Sequence, residues 1–242
     1  MSHYDLINQF LDHTSNTYNR ILESPSRLSI IVDRLRTQNS SQHFEFLCPS
    51  DHGLDAILAI HDVDYIEYLK SAYEEWCKEG GNRDGVIPEA FPHSGFISTS
   101  RDKIKNAKSS LAKAGFSNIS GGSCFLNNAA IAAKLLINDL DSNGNARKVI
   151  ILDIDYHHGN GTQDIFYTQS NPLYVSLHAS NDYPWFTGET TEIGEGEGEG
   201  YNVNIPLPKE TSDEVYCKML EKVIKEKIAS YEAYYLIVSL GG

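Results

Sequence analysis

Four apolar segments without alternating polar residues constrain the fold of this chain most strongly. Helical patterns separate these segments, which lie at 149–155, 173–178, 201–206 and 235–240. A strand reads as a continuous apolar run when both faces of its sheet are covered, as in parallel sheets between layers of helices. We therefore predict an α/β fold of three layers, α/β/α, around a mostly parallel sheet.

Helical spacing of apolar residues predicts the layers that cover this sheet. Ser24 and Pro25 form a helix start, because serine caps the first turn and proline fits it. A further helix is expected from Leu54, with a break near 61–62. Two more are expected over the alanine-rich part of 121–136 and from about 212 to 229. Residues 44–49 are expected to form a short strand. No composition shift marks a boundary, so we predict one domain over 1–242.

Composition excludes some classes of function. The 33 acidic residues outnumber the 20 basic ones, for a net charge of −13. That balance argues against nucleic-acid binding through phosphates and is compatible with a cationic substrate. The N-terminus has no apolar signal core, no stretch approaches a membrane span, and the four cysteines form no CxxC pair. We expect a cytoplasmic or nuclear protein without disulfides or membrane contact.

The segment "LDIDYHHGNG" at 152–161 places charged side chains where a buried strand ends. Side chains alternate along a strand, so Asp153, Asp155 and His157 are expected to share one face, and His158 to point away. Two carboxylates and an imidazole at one edge need a cation to offset their repulsion. Oxygen and nitrogen ligands suit Zn²⁺ or a similar ion. The competing interpretation is that one aspartate caps a loop and the histidines are surface residues.

Several motifs resemble the arginase–deacetylase superfamily, in the same order along the chain from about Pro25 to Gly242. They are "GGSCFLNNAAIAA", "ILDIDYHHGNGTQDIFY", "YVSLH" and "LIVSLGG". The resemblance is strongest to the acetylpolyamine amidohydrolases and class II-like histone deacetylases. It implies an arginase–deacetylase-like fold and Zn²⁺-assisted hydrolysis of an acetamide in acetylated polyamines or acetyl-lysine proteins.

The resemblance also implies roles for single residues. Asp155 and His157 would hold the catalytic Zn²⁺. Asp153, Ser176 and the carbonyl of Leu177 would bind a structural monovalent cation, K⁺ or Na⁺.

Three further positions follow from the same resemblance. Asn160 falls where a partner of a catalytic histidine would lie. Tyr183 and the carbonyl of Gly122 would line the tunnel for the acetylated side chain.

The chain departs from the family pattern in its general base. The resemblance implies two adjacent histidines shortly before Gly121, but no histidine lies between His93 and His157. His93 and His158 are the only substitutes nearby in sequence, so the general base is left unassigned. The resemblance also implies a third metal ligand directly after Gly242 and a catalytic tyrosine beyond it. We therefore expect a fold that is incomplete at its C-terminus.

Three functional interpretations stay open. The first is an active zinc deacetylase. The second is a catalytically inactive, truncated family member that serves at most as a binding module, which is what we expect of the 242 residues as given. The third, more distant, is an arginase-like dimetal hydrolase. A sheet cut after an inner strand leaves an apolar edge, so we also expect low solubility or a partner, a second copy of the chain included.

Overall fold

The computed structural model describes residues 25–37, 53–78, 80, 126–184 and 187–240. They fall into two compact units. The larger contains 54–70 and the described residues from 126 to 240, and the smaller contains 25–37, 53, 71–78 and 80. The single domain over 1–242 stays a prediction, and the strand expected at 44–49 lies outside the described residues.

A four-stranded parallel sheet forms the centre of the larger unit. Its strands are β1 (Val149–Asp153), β2 (Leu173–Ala179), β3 (Asn202–Leu207) and β4 (Tyr235–Ser239). Their order is β3-β2-β1-β4, and all three pairings are parallel. Every residue of β1 and β2 is buried, which explains the continuous apolar runs of the sequence. The four predicted strands are confirmed with bounds that agree within one residue, except that β1 ends two residues early.

Helices occupy the segments where apolar spacing predicts them, and one further helix, over Asn160–Phe166, was not predicted. In chain order they are α1 (Pro25–Thr37), α2 (Asp55–Leu58), α3 (Val63–Lys78), α4 (Asn128–Ile137), α5 (Asn160–Phe166), α6 (Asp213–Val223), a π-helical turn (Ile224–Ile228) and α7 (Ala229–Tyr231). The break between α2 and α3 lies at 59–62, as predicted. Asn127 and Ser212 cap α4 and α6 by accepting hydrogen bonds from backbone N–H groups.

Two apolar clusters hold helices to opposite faces of the sheet. On one face, α4 and α5 pack against Val149, Ile151 and Tyr174. On the other face, Val223 of α6 packs in a cluster with Ile150, Leu152, Leu173, Val175 and Leu177. The larger unit therefore has the predicted three layers, α/β/α.

The strand order places a ligand-binding edge at the end of β1. The chain passes from β1 to β2 through α5 on one face, and from β3 to β4 through α6 on the other. The order therefore reverses between β1 and β4, and sheets of this kind bind ligands beyond the carboxyl ends of the strands at such a point. Asp153 ends β1 there, and its register partners are Ser176 of β2 and Ser239 of β4.

Strand β4 carries apolar side chains that are exposed on one face of the sheet. Leu236 and Val238 are 53% and 44% exposed. They pair in register with the buried Ile150 and Leu152, whose cluster lies on the face that α6 covers. Among the described residues, no strand pairs with the outer side of β4. None of the described helices is long and apolar enough to cross a membrane.

Candidate functional site

Two consecutive turns follow β1 and determine how its polar side chains lie. Asp153 Oδ1 accepts a hydrogen bond from the Asp155 N–H at 3.2 Å, and Asp155 Oδ1 accepts one from the His157 N–H at 2.6 Å. Aspartate side chains that bond the backbone two residues on replace a strand with turns. The chain therefore leaves the strand at Asp153, and the expectation that Asp153, Asp155 and His157 share one face of an extended strand is wrong.

Asp153 is the most buried of the three residues and is 4% exposed. Its carboxylate accepts a hydrogen bond from the Tyr174 hydroxyl at 3.1 Å, and Ser239 of β4 is the register partner of Asp153. Gly159 lies against this group, because a Cβ there would collide with Asp153 Oδ2 and the Tyr174 hydroxyl. Loss of hydration, above all, raises the pKa of Asp153 to about 6. A cation bound here would offset that cost, so the site suits a positive ion.

Asp155 and His157 lie close together on the accessible side of the turns. Asp155 Oδ1 is 3.7 Å from His157 Nδ1, and the two side chains are 30% and 44% exposed. Two ligands at about 2.1 Å from one tetrahedral ion are about 3.4 Å apart, so this pair fits one metal ion. Among the described residues, no third histidine, cysteine or carboxylate joins them in a cluster that could hold a metal.

Two tyrosines flank the His157 ring. The ring of Tyr156 lies 5.0 Å away at an interplanar angle of 87°, and that of Tyr183 lies 5.6 Å away at 85°. Such edge-to-face contacts are favourable between aromatic rings. The tyrosine chosen from the sequence as a tunnel wall therefore lies beside the candidate metal ligand.

His158 points away from the Asp155–His157 pair. Its ring is buried, with Nδ1 2.8 Å from the Thr187 hydroxyl and Nε2 3.2 Å from Gln163 Oε1. The ring of His178 lies 4.7 Å from it. This placement favours a packing role for His158 over proton transfer at the accessible pair.

His178 determines the orientation of the Ser176 hydroxyl. His178 Nε2 lies 3.0 Å from the Gly188 carbonyl, which can only accept, so that nitrogen carries the proton. Burial lowers the pKa of His178, so the ring is neutral and its Nδ1 accepts from the Ser176 hydroxyl at 2.9 Å. The lone pairs of Ser176 Oγ then stay available to a cation. The side chain of Leu177, the other predicted contributor, is buried in the core.

A network of buried amide side chains contacts His158 through Gln163 and reaches His178 through Glu192 and Gly188. Gln163 Oε1 accepts hydrogen bonds from the Nδ2 groups of Asn202 and Asn204 at 2.8 and 2.7 Å. Gln163 Nε2 donates to Glu192 Oε2 at 2.6 Å, and the same carboxylate accepts from the Gly188 N–H at 2.8 Å. The network therefore connects α5 and β3 to the segment that follows Tyr183.

The remaining predicted residues are placed as follows. Asn160 begins α5, and its N–H donates to the His158 carbonyl at 3.0 Å. His93 and Gly122 lie outside the described residues.

The sequence reasoning missed Tyr174, which donates to Asp153, and Ser239, which pairs in register with Asp153. A signal for Ser239 was present, because β2 and β4 both carry Val-Ser-Leu, at 175–177 and 238–240. These repeats put a serine on each side of Asp153. Tyr174 carried no comparable signal, since an apolar strand also accommodates a tyrosine as packing.

Comparison with known proteins identifies the family. A family model described as the histone deacetylase domain matches residues 21–242. The chain belongs to the histone deacetylase family. The resemblance found in the sequence motifs is thereby confirmed.

The relatives of this chain include acetylpolyamine amidohydrolases and histone deacetylases. The chain is 34% identical to acetylpolyamine amidohydrolase 1 of Pseudomonas aeruginosa, in a match that covers 90% of this chain and 74% of that protein. It is 38% identical to human histone deacetylase 9 over 50% of this chain and 12% of that protein. In structure it is similar to an acetylpolyamine aminohydrolase from Burkholderia pseudomallei, with a TM-score of 0.64, 27% identity, and coverage of 89% of this chain and 72% of that one. The acetylpolyamine amidohydrolase and the acetylpolyamine aminohydrolase thus match most of the chain.

Proposed function

We propose that this chain carries the site of a zinc-dependent deacetylase, which hydrolyses the acetamide of acetylated polyamines or of acetyl-lysine. The observation that supports this most is the pairing of the Asp155 carboxylate with the His157 imidazole at the reversal point of the sheet. Both groups are accessible, and both are ligand types that zinc accepts.

Asp155 and His157 would hold the metal. When bound there, zinc supplies Lewis-acid polarisation of the acetamide carbonyl and activation of water. Asp155 also accepts the N–H of His157, which orients the backbone that carries the second ligand. In this arrangement the Asp155 carboxylate would bind the metal and also position His157.

The tyrosines suit the hydrophobic stem of an acetylated amine. Tyr156 and Tyr183 flank His157, so a methylene chain that reaches the metal would pass aromatic surface. The net charge of −13 is compatible with a polycation. Relatives are named for acetylpolyamines and for histones, so both substrate classes are candidates.

A monovalent cation, K⁺ or Na⁺, is the second ion that we propose. Asp153 is a buried carboxylate, and the hydroxyl of Ser176 in the adjacent strand has lone pairs to offer. The Leu177 carbonyl is the third proposed ligand. The ion would stabilise the strand end directly beneath the catalytic pair.

A second candidate function is a binding module without catalysis. It is favoured by residues 94–156, which contain no histidine to act as the general base that the family uses. Such a module would bind acetylated amines without hydrolysing them. Turnover by the wild type separates the two candidates, and His93→Ala then tests whether His93 is the base.

Turnover of acetyl-lysine peptide and of acetylated polyamine, measured side by side with zinc present, tests the proposal. We expect hydrolysis that a chelator abolishes, that His157→Ala lowers at least about 100-fold, and that Glu214→Gln on the exposed surface of α6 leaves unchanged. If His93 is the base, His93→Ala removes turnover but not substrate binding. Binding without any turnover by the wild type would instead support the module.

A further inference from the structure

The carboxylate of Asp182 connects the two tyrosines that flank His157. Its Oδ2 accepts a hydrogen bond from the Tyr156 hydroxyl at 3.2 Å, and its Oδ1 accepts one from the Tyr183 N–H at 2.7 Å. Tyr156 precedes His157 in the chain, whereas Tyr183 comes from the segment after β2. The Asp182 side chain thus contacts both of the residues whose rings flank His157.

Lys209 fixes Asp182 in turn. Its Nζ lies 3.0 Å from Asp182 Oδ2, and it follows β3 along the chain. Lys209, chiefly, and the Tyr183 N–H lower the pKa of Asp182. Asp182 is therefore a charged acceptor at neutral pH, and hydrogen bonds to charged groups are the stronger ones.

The other end of the same segment is anchored independently. The Gly188 carbonyl contacts His178, its N–H donates to Glu192, and the Thr187 hydroxyl contacts His158. These contacts do not involve Asp182, whose bond to the Tyr183 N–H acts at the Tyr183 end of the segment.

We propose that Asp182 is a positioning residue that orients His157 through Tyr156 and Tyr183. The inference rests on the proposed function in so far as His157 is a metal ligand. Partners that orient a ligating histidine commonly change metal affinity 10- to 100-fold when they are removed. The contacts of Asp182 are with the two tyrosines and Lys209, so it would act on His157 through the two rings.

The first measurement needs no metal. Histidine side-chain resonances of the metal-free full chain are recorded by NMR, and His157→Gln assigns the His157 signal among the nine histidines. Because ring currents of both tyrosines act on His157, Asp182→Ala should move its signal towards that of free histidine. Tyr156→Phe, which keeps the ring, should cause a smaller change in the same direction. Glu214→Ala, which breaks an exposed ion pair with Lys218, is the matched control and should cause none.

The second measurement is zinc affinity by competition with a chelator. Asp182→Ala should weaken it about 10- to 100-fold, and Asp182→Asn, which keeps one oxygen acceptor, should restore part of the loss. If Asp182→Ala fails to fold, the His157 resonances and the zinc affinity of Asp182→Asn test the role of Asp182 instead. Unchanged His157 resonances in Asp182→Ala would overturn the inference. Absence of zinc binding by the wild type would contradict the proposed function, and the resonances would still decide the role of Asp182.

Discussion

At the scale of single residues, one sequence motif gives its two aspartates different environments. Asp153 ends a buried strand and takes its partners from neighbouring strands, whereas Asp155 begins a turn and is accessible. The motif predicts carboxylates at a strand end. It does not predict their different burial, because the turns depend on hydrogen bonds from each aspartate to the backbone two residues on.

The burial of Asp153 predicts a pH dependence of folding. Its pKa is about 6 in the folded chain against a usual 3.8, so the unfolded chain ionises first as the pH rises. In buffer free of Na⁺ and K⁺, the free energy of unfolding should fall by up to about 3 kcal/mol between pH 4 and pH 6. Asp153→Asn should lack this fall, because it cannot ionise. Urea unfolding at several pH values measures both proteins.

Addition of K⁺ or Na⁺ above pH 6 should restore part of the stability of the wild type and none in Asp153→Asn. Equal stabilisation of both proteins would contradict the proposed monovalent site.

Gly188 occupies a position where both the backbone conformation and the surrounding space require glycine. Its φ is +96°, and a Cβ would lie 2.5 Å from His178 Nε2 and 2.9 Å from His158 Cγ. Gly188→Ala should therefore lower the free energy of unfolding by about 2–5 kcal/mol. Gly144 has a φ of +83° with open space around it, so Gly144→Ala should cost only about 1 kcal/mol. Similar losses for the two variants, measured by urea unfolding, would argue against close packing at Gly188.

At the scale of elements, helices and strands were largely predictable because apolar periodicity reports burial directly. The four strands and the break between α2 and α3 follow from that pattern. The connections between elements were less predictable, since they depend on polar contacts between distant residues. Asn127 is an example: it caps α4, donates to Thr162 of α5, and its N–H donates to His61.

Asn127→Ala should destabilise the junction of α4 and α5. It removes the cap bond to the Ala130 N–H and the bond to Thr162, with an expected loss of about 1–2 kcal/mol. Asn127→Asp keeps the cap acceptor but loses the donor to Thr162, so a smaller loss is expected. Thermal or urea unfolding measures both, and an aspartate variant that is as unstable as the alanine variant would assign the loss to the Thr162 contact instead.

At the scale of the whole molecule, the fold class and the family were both predictable from ordered motifs. The Asp155–His157 pair was predictable as residue types, and its geometry required the turns after β1. The edge of β4 was predictable as apolar, and its exposure has a consequence for association. Its sequence "YLIVS" carries no charge that would prevent pairing with another strand.

Association through this edge should respond to a charge. Val238→Lys places an ammonium group on the exposed apolar face of β4, and Val215→Lys does the same on exposed α6 as a control. Sedimentation velocity should show self-association of the wild type and of the control, and a shift to monomer for Val238→Lys. A wild type that is monomeric at high concentration would contradict association through this edge.

The stoichiometry and affinity of zinc binding test the central claim most directly. Calorimetric titration of the purified chain should give one site per chain, and Asp155→Ala and His157→Ala should each weaken it by at least about 10-fold, while Glu214→Gln should not. The account predicts loss in both site variants because each removes one of the paired ligands. Zinc affinity that is unchanged in both variants would contradict it.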